Sequence, residues 1–173
     1  FSGNWLNDEG FRYQEIDKRA RLNLKMQFYP TKGLTFGFST SALYSKSGDA
    51  MLWHDYDTAA YIARDYDITL TDGWDYYIDP FVNFQHGRSK HSIRGRLLGI
   101  NNNAKNRTTN YANYSDYYYS EYQFQHFFEK QLTLTVGGVA AFANSDSEVF
   151  QGVHNTRNLA AYGQLDKKWN RLT

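Results

Sequence analysis

The stretch Arg19-Ala20-Arg21-Leu22-Asn23-Leu24-Lys25-Met26-Gln27-Phe28 alternates without a break. Ala20, Leu22, Leu24, Met26 and Phe28 fall on one side of an extended chain, and Arg19, Arg21, Asn23, Lys25 and Gln27 on the other. Successive side chains of a strand point to opposite faces, so this period of two reads as a β-strand with one apolar and one polar face. Pro30-Thr31-Lys32-Gly33 then supplies a fixed φ followed by a permissive residue, which predicts a turn. The chain returns as Leu34, Phe36, Phe38, Thr40 and Ala42 with small polar residues between them, completing a hairpin. Placing Phe28 opposite Leu34 brings Met26 to Phe36, Leu24 to Phe38 and Leu22 to Thr40, so one face is apolar across both strands.

The same unit recurs. Trp74, Tyr76, Ile78, Pro80, Val82 and Phe84 alternate with Asp75, Tyr77, Asp79, Phe81, Asn83 and Gln85. After a turn over residues 86–91 come Ile93, Gly95 and Leu97 against Arg94 and Arg96. Pro80 lacks a ladder donor, which implies an edge strand or a bulge there. Further on, Tyr118, Ser120, Tyr122 and Phe124 oppose Tyr117, Tyr119, Glu121, Gln123 and Gln125, and Leu132, Leu134, Val136, Gly138, Ala140 and Phe142 follow a turn at residues 128–131. A last strand is expected over residues 159–167, giving about seven in all.

Connection lengths sort as well. Short turns (29–33, 86–91, 128–131, 168–171) alternate with long polar segments (45–73, 101–115, 144–158), so short turns collect on one rim and long loops on the other. Strands of about ten residues with one apolar face, one polar face and this asymmetry fit a segment of an antiparallel transmembrane β-barrel, with short periplasmic turns and long extracellular loops. Aromatics near the expected strand ends (Phe28 and Tyr29, Tyr44, Trp74 and Tyr76, Phe127 and Phe128, Trp169) suit the two headgroup levels of a membrane.

Composition agrees with that division of faces. The 173 residues are 41% hydrophobic and 18% aromatic, yet the mean hydropathy is −0.71. A barrel resolves the conflict by sending apolar side chains out to lipid and polar ones into a wet interior and loops. No run approaches the ~18 apolar residues of a transmembrane helix, which excludes a helical membrane protein. A net charge of +1 removes the simplest electrostatic case for nucleic acid. The absence of Cys excludes a disulfide scaffold, thiol chemistry and Cys-based metal sites.

Several segments carry a family likeness. Asn4-Trp5-Leu6-Asn7-Asp8-Glu9-Gly10-Phe11-Arg12-Tyr13, Lys18-Arg19-Ala20-Arg21-Leu22-Asn23, Ile78-Asp79-Pro80-Phe81, Tyr119-Ser120-Glu121-Tyr122-Gln123-Phe124-Gln125 and Ala161-Tyr162-Gly163-Gln164-Leu165-Asp166-Lys167-Lys168-Trp169 resemble the barrel of TonB-dependent outer-membrane receptors of the Bacteroidetes type. The resemblance spans nearly the whole chain and about a third of such a barrel. It implies a barrel of about 22 strands with a plug inside it, in the outer membrane of a Gram-negative bacterium. The activity it implies is energy-coupled uptake of a scarce nutrient such as a ferric siderophore or an oligosaccharide. The TonB complex would be engaged only through the plug, which this stretch does not include, so residues 1–173 are expected to be a partial barrel. Binding and passage are implied, with no covalent catalysis and no cofactor. Two other readings of the pattern stay open: a soluble all-β module that holds carbohydrate on surface aromatics, and a complete small outer-membrane barrel with an adhesin or structural role.

Candidate ligand contacts lie on the segment 45–73, where Trp53-His54-Asp55-Tyr56-Asp57 and Asp65-Tyr66-Asp67 set aromatic rings beside carboxylates. Such groups can stack on a sugar or chelate ring and accept hydrogen bonds, although the run lacks the Gly and terminal Glu of a calcium loop. The five His are scattered without metal spacing, so no metal site is expected. On the polar face, Arg21, Lys25, Asp79, Arg94, Arg96 and Glu121 form a charge network of both signs. Placing Gln85 opposite Ser92 sets Asp79 diagonal to Arg96, within ion-pair reach. A water-lined interior accommodates such a network, whereas a dry core would not.

Overall fold

A computed structural model describes residues 1–11, 15–50, 62, 68–129, 131–149 and 152–169. The chain is all-β, one open antiparallel sheet of eight strands in sequence order. These are β1 (Ser2–Asp8), β2 (Ile16–Thr31), β3 (Leu34–Ala50), β4 (Ile68–His86), β5 (Ser89–Lys105), β6 (Asn110–Phe127), β7 (Leu132–Ser147) and β8 (Gly152–Lys167). The sequence pattern counted about seven; the additional strand is β1, whose Trp5 pairs with Ala20 and whose Asn4 pairs with Arg21. The last strand begins at Gly152 rather than at 159.

The first hairpin forms as the alternation requires, in a different register. Phe28 pairs with Phe36, Met26 with Phe38, Leu24 with Thr40 and Leu22 with Ala42. The reason lies at Pro30. The strand runs through it to Thr31, which pairs with Leu34 across a two-residue turn, and a bulge between Phe28 and Thr31 absorbs one extra residue. A bulge is a place where a strand tolerates a missing donor. Gly33, at φ 85°, makes the turn. Because the register differs by two, each side chain keeps its face.

Pro80 lies neither on an edge nor at a bulge. Strand β4 sits between β3 and β5, and Ile78↔Leu97 and Phe81↔Arg94 hold the same register on either side of it. Pairing with β3 is continuous through Pro80↔Phe38, whereas the β4–β5 ladder lapses at Asp79 and Pro80. The missing amide is therefore felt on the β5 side, where the proline ring packs over Gly95.

Two of the long connections expected from composition are strand instead. Asn101, Asn102 and Asn103 pair with Trp74, Gly73 and Asp72, and Ser145 and Asp146 pair with Ser115 and Tyr114. The actual connections there are residues 106–109 and 148–151. The rims differ only through 9–15 and 51–67, since 106–109 and 148–151 are no longer than 128–131. Residues 32–33, 87–88 and 128–131 close one, while 9–15, 51–67, 106–109 and 148–151 close the other.

Exposure runs opposite to that of a soluble sheet. Along β4, Trp74, Tyr76, Ile78, Val82 and Phe84 are exposed while Asp75, Tyr77, Asp79 and Asn83 are half-buried. Strand β6 repeats this, with Tyr114, Tyr118 and Tyr122 exposed and Tyr117, Tyr119, Glu121 and Gln123 half-buried. The buried polar residues Ser41, Ser92, Thr135 and Ser147 all lie on the polar face. No second layer covers either face among the described residues, so the difference arises from curvature: the sheet bends toward its polar side and crowds those side chains together. No large side chain is fully buried among the described residues.

The exposed apolar face is bounded by two aromatic rows. Near the short turns, Phe28 stacks on Phe36 at 5.3 Å, and Phe84, His91, Phe124, His126 and Phe128 continue as ring neighbours 4.5–6.3 Å apart. Toward the other rim, Tyr44 lies 4.9 Å from Trp74. Between the rows, this face of β3, β4 and β5 carries no charged side chain, and just past Trp74 stand Asp72 and its partner Lys46. Trp74 to Phe84 spans about 33 Å of strand at ~3.3 Å per residue. A tilt of ~35–45° reduces this to about 25 Å, the height of a barrel's apolar band. The row containing Trp74 lies inside the strand rather than at its end, because the ladder runs on beyond it to Ile68.

Candidate functional site

The candidate site on the polar face is built from neighbouring strands by their register. Lys25 pairs with Ser39, Ser39 with Asp79, and Arg94 with Glu121. Curvature turns this surface into a depression of about 550 Å³ lined by Lys25, Asp79, Arg94, Arg96, Tyr119 and Glu121 among others. Five of the six residues expected in a charge network thus meet in one place. Arg21 does not: it pairs with Leu43, four residues from Lys25 on β2, and lies outside the depression.

The expected ion pair between Asp79 and Arg96 is present and bidentate. Arg96 Nε donates to Oδ1 at 2.7 Å and Nη2 to Oδ2 at 2.6 Å. Register places the two directly opposite rather than diagonal, since Asn83, not Gln85, pairs with Ser92. The guanidinium also lies 5.5 Å from the centre of the Tyr77 ring. A bidentate fork fixes orientation as well as charge.

Glu121 is held differently. Tyr119 donates to its Oε2 at 3.0 Å and Tyr162 to its Oε1 at 2.9 Å. Tyr162 belongs to β8 and Glu121 to β6, so the Tyr162 ring reaches across β7, passing over its register partner Gly137, which has no side chain in the way. The residue pattern did not single out this bridge; the signal in the sequence was a tyrosine and a glycine aligned across the β7–β8 pair. Tyr162→Phe removes one charge-assisted bond and is expected to destabilise the sheet, read as a lowered denaturant midpoint at unchanged slope. No change would mean that the bridge holds nothing.

With Asp79 and Glu121 engaged, Lys25 and Arg94 have no carboxylate within 4.0 Å among the described residues. The depression therefore presents two uncommitted cations beside the Tyr117 and Tyr119 rings and the Asn83 amide. Chemically, this is a wet, orienting surface for polar or anionic groups. Tyr117-Tyr118-Tyr119 is no single platform, because Tyr118 faces the apolar side and its two neighbours the polar side.

The aromatic and acidic candidates Trp53, His54, Asp55, Tyr56, Asp57, Asp65, Tyr66 and Asp67 lie outside the described residues. Ala50 pairs with Ile68, so that segment leaves and rejoins the sheet at adjacent positions on the rim of longer connections. Among the described residues no group of three or more His, Asp or Glu is placed to hold a metal ion. No protein-family model, no curated protein and no solved structure matches the chain.

Proposed function

We propose that the chain is a barrel segment of an outer-membrane, TonB-dependent receptor that takes up a scarce nutrient such as a ferric siderophore or an oligosaccharide. The observation that carries the membrane part is the inverted exposure of the sheet: Trp74, Ile78 and Phe84 face out while Asp79 and Glu121 crowd inward. In water this arrangement leaves a large apolar surface uncovered, whereas lipid covers it and water fills the concave side. The open sheet supports a larger closed barrel, because β1 and β8 each pair on one side only and unpaired backbone is costly in hydrocarbon. The transport role rests on the likeness of the framework segments quoted above, and the polar depression supplies a wet surface for a passing solute.

The test has two parts. The protein should float with lipid vesicles after sodium carbonate extraction, and a deletion strain should lose protonophore-sensitive uptake of a radiolabelled ferric siderophore or oligosaccharide. A monomer soluble without detergent would overturn the membrane part, and uptake insensitive to protonophore would overturn energy coupling.

Eight antiparallel strands in sequence order also match the smallest transmembrane barrels. That second reading requires β1 to close onto β8, and β1 is paired over only seven residues. A cysteine pair placed on β1 and β8, crosslinking in the folded protein, would favour it.

A further inference from the structure

The apolar face is not uniform. Between β5 and β8 a groove runs along it, floored by the small residues Ser120, Gly138, Ala140 and Ala161 and walled by Tyr118 and Leu159. Its two halves, about 700 and 310 Å³, share Ser120, Ala140 and Leu159 and so form one channel. Arg157 stands at the upper end, its guanidinium 5.6 Å from the centre of the Phe142 ring.

Arg157 is out of place by the chemistry of that face. Among the described residues it is the one Lys or Arg on the apolar side between the aromatic rows, and none of their carboxylates lies within 4.0 Å of it. Its reach explains how it is tolerated. Arg157 shares a register row with Phe142, Tyr118 and Leu97, short of the Trp74 row, and from there its long side chain can extend to the level where headgroups would meet the sheet.

We infer that this groove is a binding site for a phosphate-bearing lipid, one acyl chain lying over Ser120, Ala140 and Gly138 and the phosphate meeting Arg157. The inference rests on the membrane reading above. Charge complementarity selects the ligand, because a guanidinium extended to the headgroup level, with no carboxylate beside it among the described residues, is matched by a lipid phosphate. Small residues between bulky walls leave room for a chain that a flat row of Leu or Phe would exclude. Phe142 beneath the guanidinium holds it by a cation–π contact and limits its rotamers.

The experiment is native mass spectrometry of the protein in maltoside micelles, equilibrated with dipalmitoyl phosphatidic acid or with dipalmitoylglycerol, which has the same chains and no phosphate. The wild type is expected to retain one phosphatidic acid and to hold dipalmitoylglycerol about ten-fold more weakly, the scale of one lost charge-assisted contact. Arg157→Gln should bring phosphatidic acid down to that level, Arg157→Lys should recover part of it, and Ala140→Leu should weaken both lipids by filling the floor. Equal retention of the two lipids, or no effect of Arg157→Gln, overturns the site. Displacement by millimolar inorganic phosphate would mean that the guanidinium binds free phosphate without help from the groove, and overturns it too. If Ala140→Leu does not fold, the phosphate comparison and Arg157→Gln still decide. Vesicle flotation separates the two failures: a protein that does not float loses the membrane reading and this site together, and one that floats without retaining phosphatidic acid loses this site alone.

Discussion

Leu97→Arg is expected to destabilise the bilayer-embedded protein by about 2–4 kcal/mol, and Leu98→Arg by well under half of that. The two positions are adjacent in β5, so strand propensity and residue chemistry are matched and only the face differs. Leu97 pairs with Ile78 and Tyr118 on the exposed apolar face, about midway between the aromatic rows. An arginine there must leave its charge in hydrocarbon or extend toward an interface, a cost that grows toward the midplane. Leu98 pairs with Tyr77 and Tyr117 on the polar face, where water and the depression around Asp79 receive a guanidinium. Urea unfolding of both variants in phosphocholine bilayers measures the difference. For a sheet that works in water, both substitutions fall at a surface and should agree within about 0.5 kcal/mol, so equal costs would contradict the assignment of faces.

Gly37→Val is expected to cost about 1–3 kcal/mol, as overpacking does in a fitted interior. Gly37 lies on the polar face of β3 opposite Gln27, near the bulge that lets β2 run past Pro30. A Cβ there would run into the backbone carbonyl oxygen of Met26 and approach the Gln27 Cα to 3.0 Å. Backbone cannot swing aside as a side-chain tip can, so β2 and β3 must separate locally. Gly138→Ala is the contrasting case. Its Cβ would meet only the Ala160 carbonyl oxygen, at 3.7 Å, and removing a glycine's unfolded-state freedom should leave stability equal or slightly higher. Denaturant midpoints of the two variants decide it, and a tolerated Gly37→Val would show that the β2–β3 spacing is loose.

The all-β fold and its faces were legible because period-two alternation reports directly which side chains share a surface, as Leu22, Leu24 and Met26 do. Registers were less so. Pro30 reads as the opening of a turn, and nothing local says that a bulge will carry the strand past it. Asn101-Asn102-Asn103 reads as loop because amides favour turns, yet these residues sit in a ladder that β4 has already extended, where backbone pairing outweighs their preference. The Asp79–Arg96 pair could be foreseen because it spans one hairpin. The bridge from Glu121 to Tyr162 could not, since it joins strands that are not neighbours and depends on the bare backbone of Gly137. Arg157 is illegible for the opposite reason: a single basic residue in a polar stretch gains meaning only once the sheet shows which face it occupies.

The lapse at Pro80 has a mechanical side. Asp79 and Arg96 face each other just where the β4–β5 backbone pairing is interrupted, and their side chains supply the cross-strand link there. On either side of it the two strands are joined by amide hydrogen bonds that dissolved ions scarcely affect, but this half-exposed link is made by opposite charges that mobile ions screen. The contact between β4 and β5 at this one point is thereby coupled to ionic strength, while the pairing on either side of it is not.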